Sequence, residues 1–407
     1  MQDEPKRIKR LKLPGRVPGS SARQADLELL SQAPAAYLDT THFDTVRFPP
    51  PAWAAAAFER AAKDGSLAYT PYRGNEDVLK ALGRTLEQFL GIALDPKEHI
   101  VLTPGTQAGL FATLTAVAEE GARIALVDPD YLFNARMLEF LNADIGYVPL
   151  RQSSTKPELD FAILEKEFAE HGARVLVFSN PNNPTGYVYS RDVLGRIAAL
   201  VEKYDVTVVA DSLYSRLLHE GHPYTHLCSL PGMQDRVITL LGPSKTESLS
   251  GYRLGVVVGP APLMNRLENV LSIVSLRAPA YAQHLLPIWL RDDHEWLQEL
   301  LPEFTALRRM TVDRLRRLPW LRLEPQPGTA YVWPDVSALQ MSDFEVARAL
   351  LTKAGVLVSP GYQFGIQGNG HFRICYARDE KQWSLALDRM VEVLDELAVK
   401  RGLAKSL

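Results

Sequence analysis

The sequence predicts an α/β protein with a large, mostly parallel central sheet covered by helices, and a smaller α+β lobe. Continuous apolar runs recur between residues 100 and 258, and segments with helical periodicity separate most of them. Strands that form unbroken apolar runs are typically buried on both faces, as in a parallel sheet between two layers of helices. The runs lie at residues 100–102, 124–127, 147–150, 175–178, 206–210, 237–241 and 254–258.

The last run, 254–258, follows its predecessor too closely for a crossover helix, so it is a candidate antiparallel strand. The helices between the other runs are predicted at residues 108–119, 133–142, 159–171 and 192–204.

The segments on either side of this alternation are more varied. Residues 1–35 are polar and rich in proline and glycine, which predicts an irregular arm. Pro51 can open a helix at Ala52–Lys63, and Asn75 or Glu76 starts another helix that reaches about residue 90. Beyond residue 260, helices are predicted at 262–290 with a break at 277–279, 295–315, 343–354 and 381–397, and strands at 321–323, 329–333, 356–358 and 371–376.

Composition limits the possible functions. The chain has 407 residues and a net charge of −3, which disfavours a nucleic-acid or membrane-surface partner. Its two cysteines fit a reducing compartment, and we expect a cytoplasmic protein. His219 and His222 are three apart with a glycine between them, unlike a zinc motif, so no metal site is predicted. We expect an arm at 1–35, a large domain at 61–284 and a small domain formed by 36–60 and 285–407.

Polar and aromatic residues follow several of the predicted strands. Ligands of open α/β sheets bind at the carboxyl ends of the strands, so these residues indicate a cofactor pocket. The segments that follow the strands are 103–107, 128–131, 179–186, 211–214 and 244–245.

Lys245 ends one of these strands, among small hydroxyl and glycine residues, and Arg253 follows eight positions later. A desolvated lysine amine loses its proton more easily and becomes a candidate Schiff-base nucleophile. Taken alone, Lys245 is better interpreted as a surface residue in a turn; the neighbouring motifs reverse that preference.

Those motifs resemble the fold-type I pyridoxal-phosphate enzymes of the class I/II aminotransferase family, which includes aspartate aminotransferase. They occur in the family's order: Asn-Pro-x-Asn-Pro-Thr-Gly at 180–186, Asp-x-x-Tyr at 211–214, Ser-Lys at 244–245 with Arg253, and Phe-Arg-Ile at 372–374. The resemblance spans roughly residues 37–400. It implies that pyridoxal 5′-phosphate is the cofactor, and that an amino group moves between an L-amino acid and a 2-oxo acid.

The resemblance also implies a role for each matching residue. Lys245 would form the Schiff base and move the substrate proton, and Asp211 would pair with the pyridine nitrogen. The phenolic oxygen would be bound by Tyr214 and Asn183, which also lies near the substrate. The phosphate would be bound by Gly105, Thr106, Gln107, Ser244 and Arg253. Tyr131 would stack on the ring, Arg373 would bind the substrate α-carboxylate and Tyr331 would touch its side chain. Tyr69 would reach the phosphate of a neighbouring subunit, which implies a homodimer.

Several of these residues also have a structural interpretation. Asp211 could be a helix N-cap, Asn183 a turn residue, Tyr131 a half-buried aromatic residue and Arg373 part of a structural ion pair.

The sequence departs from the family pattern at three places. Residues 40–44 (Thr-Thr-His-Phe-Asp) replace a glycine-and-proline turn, Gly242 stands where many relatives have serine, and Arg277 replaces a small or amide residue. His42 could contact substrate or be structural, and Arg277 could bind a polar substrate tail or form a surface ion pair. These departures favour, as an alternative, a lyase, cyclising or oxidising enzyme of the same fold. A non-catalytic regulator is a third hypothesis.

Overall fold

The structure is a computed structural model that describes residues 5–11, 22–43, 48–64, 68–151, 156–323 and 325–403. Asp44 of the altered turn, and residues 1–4 and 12–21 of the expected arm, lie outside the described residues.

The described residues form a main sheet of eight strands, and it confirms the predicted α/β fold. From one edge to the other the strands are Ile100–Thr103, Gly255–Val258, Val237–Leu241, Thr207–Asp211, Val175–Ser179, Arg123–Asp128, Asp144–Arg151 and Glu158–Leu159. The five strands from Val237–Leu241 to Asp144–Arg151 are parallel. Gly255–Val258 is antiparallel to both of its neighbours, as its short connection indicated.

The helices cover the sheet and build the smaller lobe. They are Lys6–Lys9, Ala22–Ser31, Ala52–Lys63, Glu76–Leu90, Pro96–His99, Thr106–Val117, Leu132–Phe140, Phe161–Ala169, Arg191–Lys203, Ala261–Val274, Ala280–Gln283, His294–Leu315, Asp343–Ala349 and Glu380–Lys400. A π-helical turn, Leu350–Ala354, continues the helix that ends at Ala349. Among the described helices, none is both long enough and apolar enough to cross a bilayer.

Local chemistry explains where several helices begin. The Asn75 side chain accepts hydrogen bonds from the amides of Asp77 and Val78, so the helix starts at Glu76. Ser342 and Glu345 form a reciprocal capping box. The expectation of an irregular arm is wrong for Ala22–Ser31, which is helical, because its leucine-rich sequence buries Leu29 against the small lobe. The predicted strand at 321–323 forms only an isolated bridge between Arg322 and Asp335.

Two hydrophobic clusters lie on opposite faces of the sheet. Leu176 and Phe178 belong to one cluster, whereas Val175 and Val177 belong to the other. Because side chains alternate along a strand, this double burial explains why the strands are continuous apolar runs. A third cluster unites parts of 29–48 with parts of 304–398, around a three-stranded sheet of Tyr331–Val332, Phe372–Cys375 and Ser359–Pro360. The domain boundaries given above stay a prediction.

The parallel strands bring distant segments to one edge. Ser179 pairs with Asp211, and Asp211 in turn pairs with Leu240. The loops that follow these strands therefore meet on one side of the sheet, where the small lobe also approaches.

Candidate active site

A cavity of about 430 Å³ opens at the carboxyl ends of the parallel strands. Residues from both lobes line it, and most of the predicted site residues are among them. The lining includes Thr106, Gln107, Tyr131, Asn183, Asp211, Tyr214, Ser244, Lys245, Arg253, Tyr331 and Arg373, together with Thr41 and His42.

One end of the cavity is built to hold an anion. The helix Thr106–Val117 begins without a side-chain cap, so its first amides are available to a ligand. Gly105 adopts φ 89°, and a Cβ there would overlap the Arg253 guanidinium. Arg253 donates through Nη1 to the Ser250 carbonyl (2.7 Å), which leaves the rest of its fork for a ligand, and Ser244 adds a hydroxyl. This set of donors is typical of a phosphate site.

Steric packing explains why glycine stands at position 242. A Cβ at Gly242 would lie 2.9 Å from Thr106 Oγ1, closer than side chains normally approach. Thr106 therefore occupies the room that a serine at position 242 would need, and this departure from the family pattern follows from packing.

Asp211 lies at the end of its strand and faces the cavity. Turns follow it rather than a helix, so the N-cap interpretation is wrong. Its Oδ1 accepts a hydrogen bond from the Leu213 amide (3.1 Å). Burial raises the pKa of Asp211 to about 6, although the Leu213 N–H and the nearby Lys245 amine both oppose that rise. A cation in the cavity would stabilise the ionised carboxylate.

Lys245 reaches into the same cavity from the neighbouring strand. Its amine donates to the carbonyl of Phe43 (3.1 Å), a residue of the segment that joins the small lobe. The amine and the Asp211 carboxylate therefore face one space.

A buried network holds the turn that carries Asn183. Asp130 accepts hydrogen bonds from the Ser179 amide and from the Asn182 side chain, each at 2.9 Å. The Ser179 hydroxyl then accepts one from the Asn183 amide (3.1 Å). Burial raises the pKa of Asp130 to about 7, and its donors oppose that rise. The sequence analysis missed Asp130, although its place directly before Tyr131 at a strand end was a usable signal.

Arg373 is 4% exposed and lies on the small-lobe wall. It donates to Asn183 Oδ1 (2.8 Å) and to the carbonyl of Thr41, and its guanidinium stacks on the rings of Tyr331 (4.0 Å) and Phe364 (4.7 Å). Its Nε has no hydrogen-bond partner among the residues that the structure describes. Within the described ranges no carboxylate pairs with Arg373, so the interpretation as a structural ion pair is wrong there.

The altered turn is held by hydrogen bonds from the strand of Arg373 and from the side chain of Arg378, which follows that strand. The Arg378 side chain donates to the carbonyls of Asp39 (2.8 Å) and His42 (2.7 Å), and the Cys375 amide donates to the Thr40 carbonyl (2.9 Å). The turn thus presents His42 to the cavity. Arg378 is a second residue that the sequence analysis missed.

The aromatic residues form two hydrogen-bonded pairs. Tyr131 donates to Gln107 Oε1 and Tyr214 donates to the Tyr331 hydroxyl, each at 3.0 Å. Burial raises the pKa of both Tyr131 and Tyr214, so both hydroxyls are neutral donors. Tyr131 is half-buried, and Asn183 lies in a turn, so the structural interpretation of each residue is compatible with a place in the cavity wall.

Comparison with known proteins places this site in a family. The family described as aminotransferase class I and II matches residues 38–390. The chain belongs to the class I and II aminotransferases. The predicted family, the fold and transaminase chemistry are confirmed at this level, and pyridoxal phosphate is the cofactor used by members of the family.

Relatives and solved structures agree on the chemistry and differ in substrate. An aspartate aminotransferase of Pyrococcus horikoshii is 27% identical over 83% of this chain and 86% of its own. LL-diaminopimelate aminotransferase 2 of Nostoc is 28% identical over 84% of this chain and 87% of its own. The crystal structure of an aspartate aminotransferase from Rhodobacter sphaeroides aligns with a TM-score of 0.86 and 34% identity, covering 92% of this chain and 99% of that one.

Two predicted cofactor-binding residues, Gly105 and Tyr69, are not among the residues that line the cavity, and neither is Arg277. Tyr69 is 84% exposed and does not line the cavity of its own subunit. The Arg277 guanidinium stacks on the rings of Tyr69 (4.8 Å) and Tyr72 (4.3 Å), and its Nε donates to the Thr70 carbonyl (2.6 Å). Within the described part of the chain, Arg277 therefore contacts aromatic rings and backbone rather than a carboxylate.

Proposed function

We propose that this aminotransferase binds pyridoxal 5′-phosphate in the cavity and moves an amino group between an L-amino acid and a 2-oxo acid. The observation that carries the proposal is the joint placement of Lys245, Asp211 and Arg373 in one cavity, beside an anion site. The residues fit the cofactor: Gly105 leaves room for the Arg253 fork at the phosphate end, and Arg373 keeps an unpartnered Nε at the other.

When bound, the cofactor would supply a reactive aldehyde and an electron-withdrawing ring. Arg253, Ser244 and the first amides of Thr106–Val117 would hold the phosphate. Asp211 would keep a proton on the ring nitrogen, because a carboxylate buried beside a cation stabilises its charge.

The other walls orient the substrate. Arg373 would bind the α-carboxylate through its fork, and Asn183 would hold that guanidinium in place. The Lys245 amine would accept the proton from the substrate Cα and return it at the second carbon centre. Tyr131 and Tyr331 would exclude water from the two ends of the cavity.

The assembly we propose is a homodimer in which each subunit completes the site of the other. In support, large apolar side chains gather in exposed positions around Arg277. They are Phe58, Tyr69, Tyr72, Ile273, Val274 and Leu276, of which Ile273 is 85% exposed. Such a patch is typical of an interface between subunits.

Mixing two inactive variants tests this assembly. In a hybrid of Tyr69→Ala and Lys245→Ala subunits, one of the two sites would have both residues intact. We therefore expect mixing to restore activity that neither variant shows alone. Activity that stays absent in hybrids, or an active monomer in sedimentation, would contradict the shared site.

A visible spectrum of the purified protein with added cofactor tests the cofactor and the reaction. We expect a yellow band that is absent in Lys245→Ala. Single amino acids are then added without an oxo acid, because relatives of similar identity carry different substrate names. Conversion to the colourless amine form, reversed by an oxo acid, identifies transamination and its donor.

The altered turn favours one alternative, in which the same carbanion chemistry ends in elimination, cyclisation or oxidation. The specific observation is that His42, absent from the usual glycine-and-proline turn, lines the cavity. Release of ammonia without conversion of the cofactor would support this alternative and contradict transamination.

The location we propose is the cytoplasm. Cys228 and Cys375 are both free and buried, as is typical of a protein in a reducing compartment. Fractionation of cells that express the tagged chain would test it, and recovery outside the cytoplasm would contradict it.

A further inference from the structure

Three charged side chains with little exposed surface, Arg216, Glu247 and Asp293, form a cluster, and two of them are close in sequence to residues that line the cavity. The Arg216 guanidinium donates through both terminal nitrogens to the Asp293 carboxylate (2.8 Å each), and through Nη1 also to Glu247. Glu247 is 1% exposed and Asp293 fully buried. One cation therefore holds two carboxylates away from water, and all three groups depend on each other for compensation.

This cluster connects three segments of the site. Glu247 lies two residues after Lys245, and Arg216 lies two residues after Tyr214. Asp293 directly precedes His294–Leu315, a helix that buries Phe304 and Leu307 in the small-lobe core. The charges thus join the strand ends of the large lobe to a rigid element of the smaller one.

The backbone around Lys245 shows what Glu247 holds. The Ser248 amide donates to the Lys245 carbonyl (3.0 Å) and closes a four-residue turn. Glu247 occupies the third position of this turn, and Ser248 after it adopts φ 55°, an uncommon conformation for a residue with a side chain. A second backbone hydrogen bond, from the Leu249 amide to the Pro243 carbonyl (3.2 Å), encloses this turn, and the Glu247 side chain adds a contact from the turn to Arg216.

We propose that Glu247, held by Arg216, which Asp293 holds in turn, is a positioning residue that fixes the turn carrying Lys245 so that its amine meets the cofactor aldehyde. This inference rests on the proposed function. The amine condenses with the aldehyde carbon: a C=N bond forms, and the carbonyl oxygen leaves as water with the two amine protons. If the turn were more mobile, that linkage would weaken, whereas the phosphate site around Arg253 would not change.

Two related ligands separate positioning from general stability. Pyridoxal phosphate can link to Lys245, whereas pyridoxamine phosphate has an amine in place of the aldehyde and cannot. The dissociation constants of both ligands are measured on the cofactor-free full chain, for the wild type, Glu247→Gln and the matched control Glu299→Gln. Glu299 is an exposed residue of the same helix that begins after Asp293.

We expect Glu247→Gln to weaken pyridoxal phosphate binding by about tenfold and to leave pyridoxamine phosphate binding unchanged. A loss that is equal for both ligands, or absent for both, would overturn the positioning role. Should Glu247→Gln not fold, Arg216→Lys addresses the same question, because it keeps the positive charge but loses the fork that reaches both carboxylates. If the wild type binds neither ligand, the proposed function fails and not this inference alone.

Discussion

Two arginines with little exposed surface, Arg216 and Arg373, lie in neighbouring regions of this aminotransferase, and their surroundings differ. Arg216, which lies two residues after Tyr214, pairs with the carboxylates of Glu247 and Asp293. Arg373, on the cavity wall, is surrounded by a carbonyl, an amide oxygen, a hydroxyl and two aromatic rings. Among the described residues no carboxylate pairs with Arg373, whereas Arg216 has two.

We infer from this difference that Arg216 stabilises the fold, whereas Arg373 is available to a ligand. A buried cation without an anion has a high free energy, since neither water nor a counter-charge compensates it. The fold tolerates this at Arg373 by surrounding it with partial charges and ring faces. We propose that the substrate carboxylate supplies the anion that Arg373, on the cavity wall, lacks among the described residues.

The largest effect is expected for Arg216→Gln. This change leaves two buried carboxylates without their cation, and we expect the free energy of unfolding to fall by about 3–5 kcal/mol. Denaturant unfolding of the cofactor-free protein measures it, with Arg84→Gln, at an exposed position of the helix Glu76–Leu90, as control. A loss similar to that of the control would mean that the two arginines do not differ as described.

Arg373→Gln is expected to lower activity strongly and stability only slightly, in contrast to Arg216→Gln. An amide cannot pair with the substrate carboxylate as a guanidinium can, so kcat/KM should fall by about a hundredfold or more, corresponding to about 3 kcal/mol. The free energy of unfolding should change far less than in Arg216→Gln, because no buried anion loses its partner. The yellow band of the bound cofactor serves as control and should persist. A large loss of stability with activity retained would reverse the comparison.

The pH dependence of cofactor binding extends the comparison from the two arginines to the carboxylate of Asp211. The pKa of Asp211 is raised to about 6, so in the free protein this carboxylate takes up a proton as the pH falls below 6. Only the ionised form pairs with a cationic ring, so the contribution of Asp211 to the affinity for pyridoxamine phosphate should fall by up to about tenfold for each pH unit below 6 and be constant above it.

Asp211→Asn is the control for this experiment. The ligand phosphate also titrates near pH 6, and this variant retains that contribution while it lacks the carboxylate. The difference between the two pH profiles therefore reports Asp211. Identical profiles would contradict a role for its ionisation.

Much of this site could be predicted from the sequence because strand ends are local features. Lys245 and Asp211 each follow a continuous apolar run, and parallel pairing brings such residues to one edge. Arg373 was predictable because an arginine within an apolar strand demands a special environment.

What the sequence could not predict depends on contacts between distant residues. Arg216 and Asp293 are 77 positions apart, and Arg378 and His42 are 336 apart. No local pattern indicates which arginine meets a carboxylate, because that depends on how the lobes pack. The helix Ala22–Ser31 was missed for a related reason: its stability comes from burying Leu29 in a core formed mainly by residues beyond 300.

The smallest effect is expected at Tyr331, and it tests what stabilises Arg373 in place of an anion. Tyr331→Phe removes the hydrogen bond from Tyr214 but keeps the ring that lies 4.0 Å from the guanidinium. We expect the KM for the amino acid to rise by less than about tenfold, since a neutral hydrogen bond contributes about 0.5–1.5 kcal/mol. Tyr331→Leu also removes the ring face and should raise KM further, because a desolvated cation–π contact contributes about 2 kcal/mol. Equal effects of the two changes would mean that the hydroxyl, and not the ring, supports Arg373. In that case the aromatic surroundings would not explain how this cation is tolerated without a carboxylate.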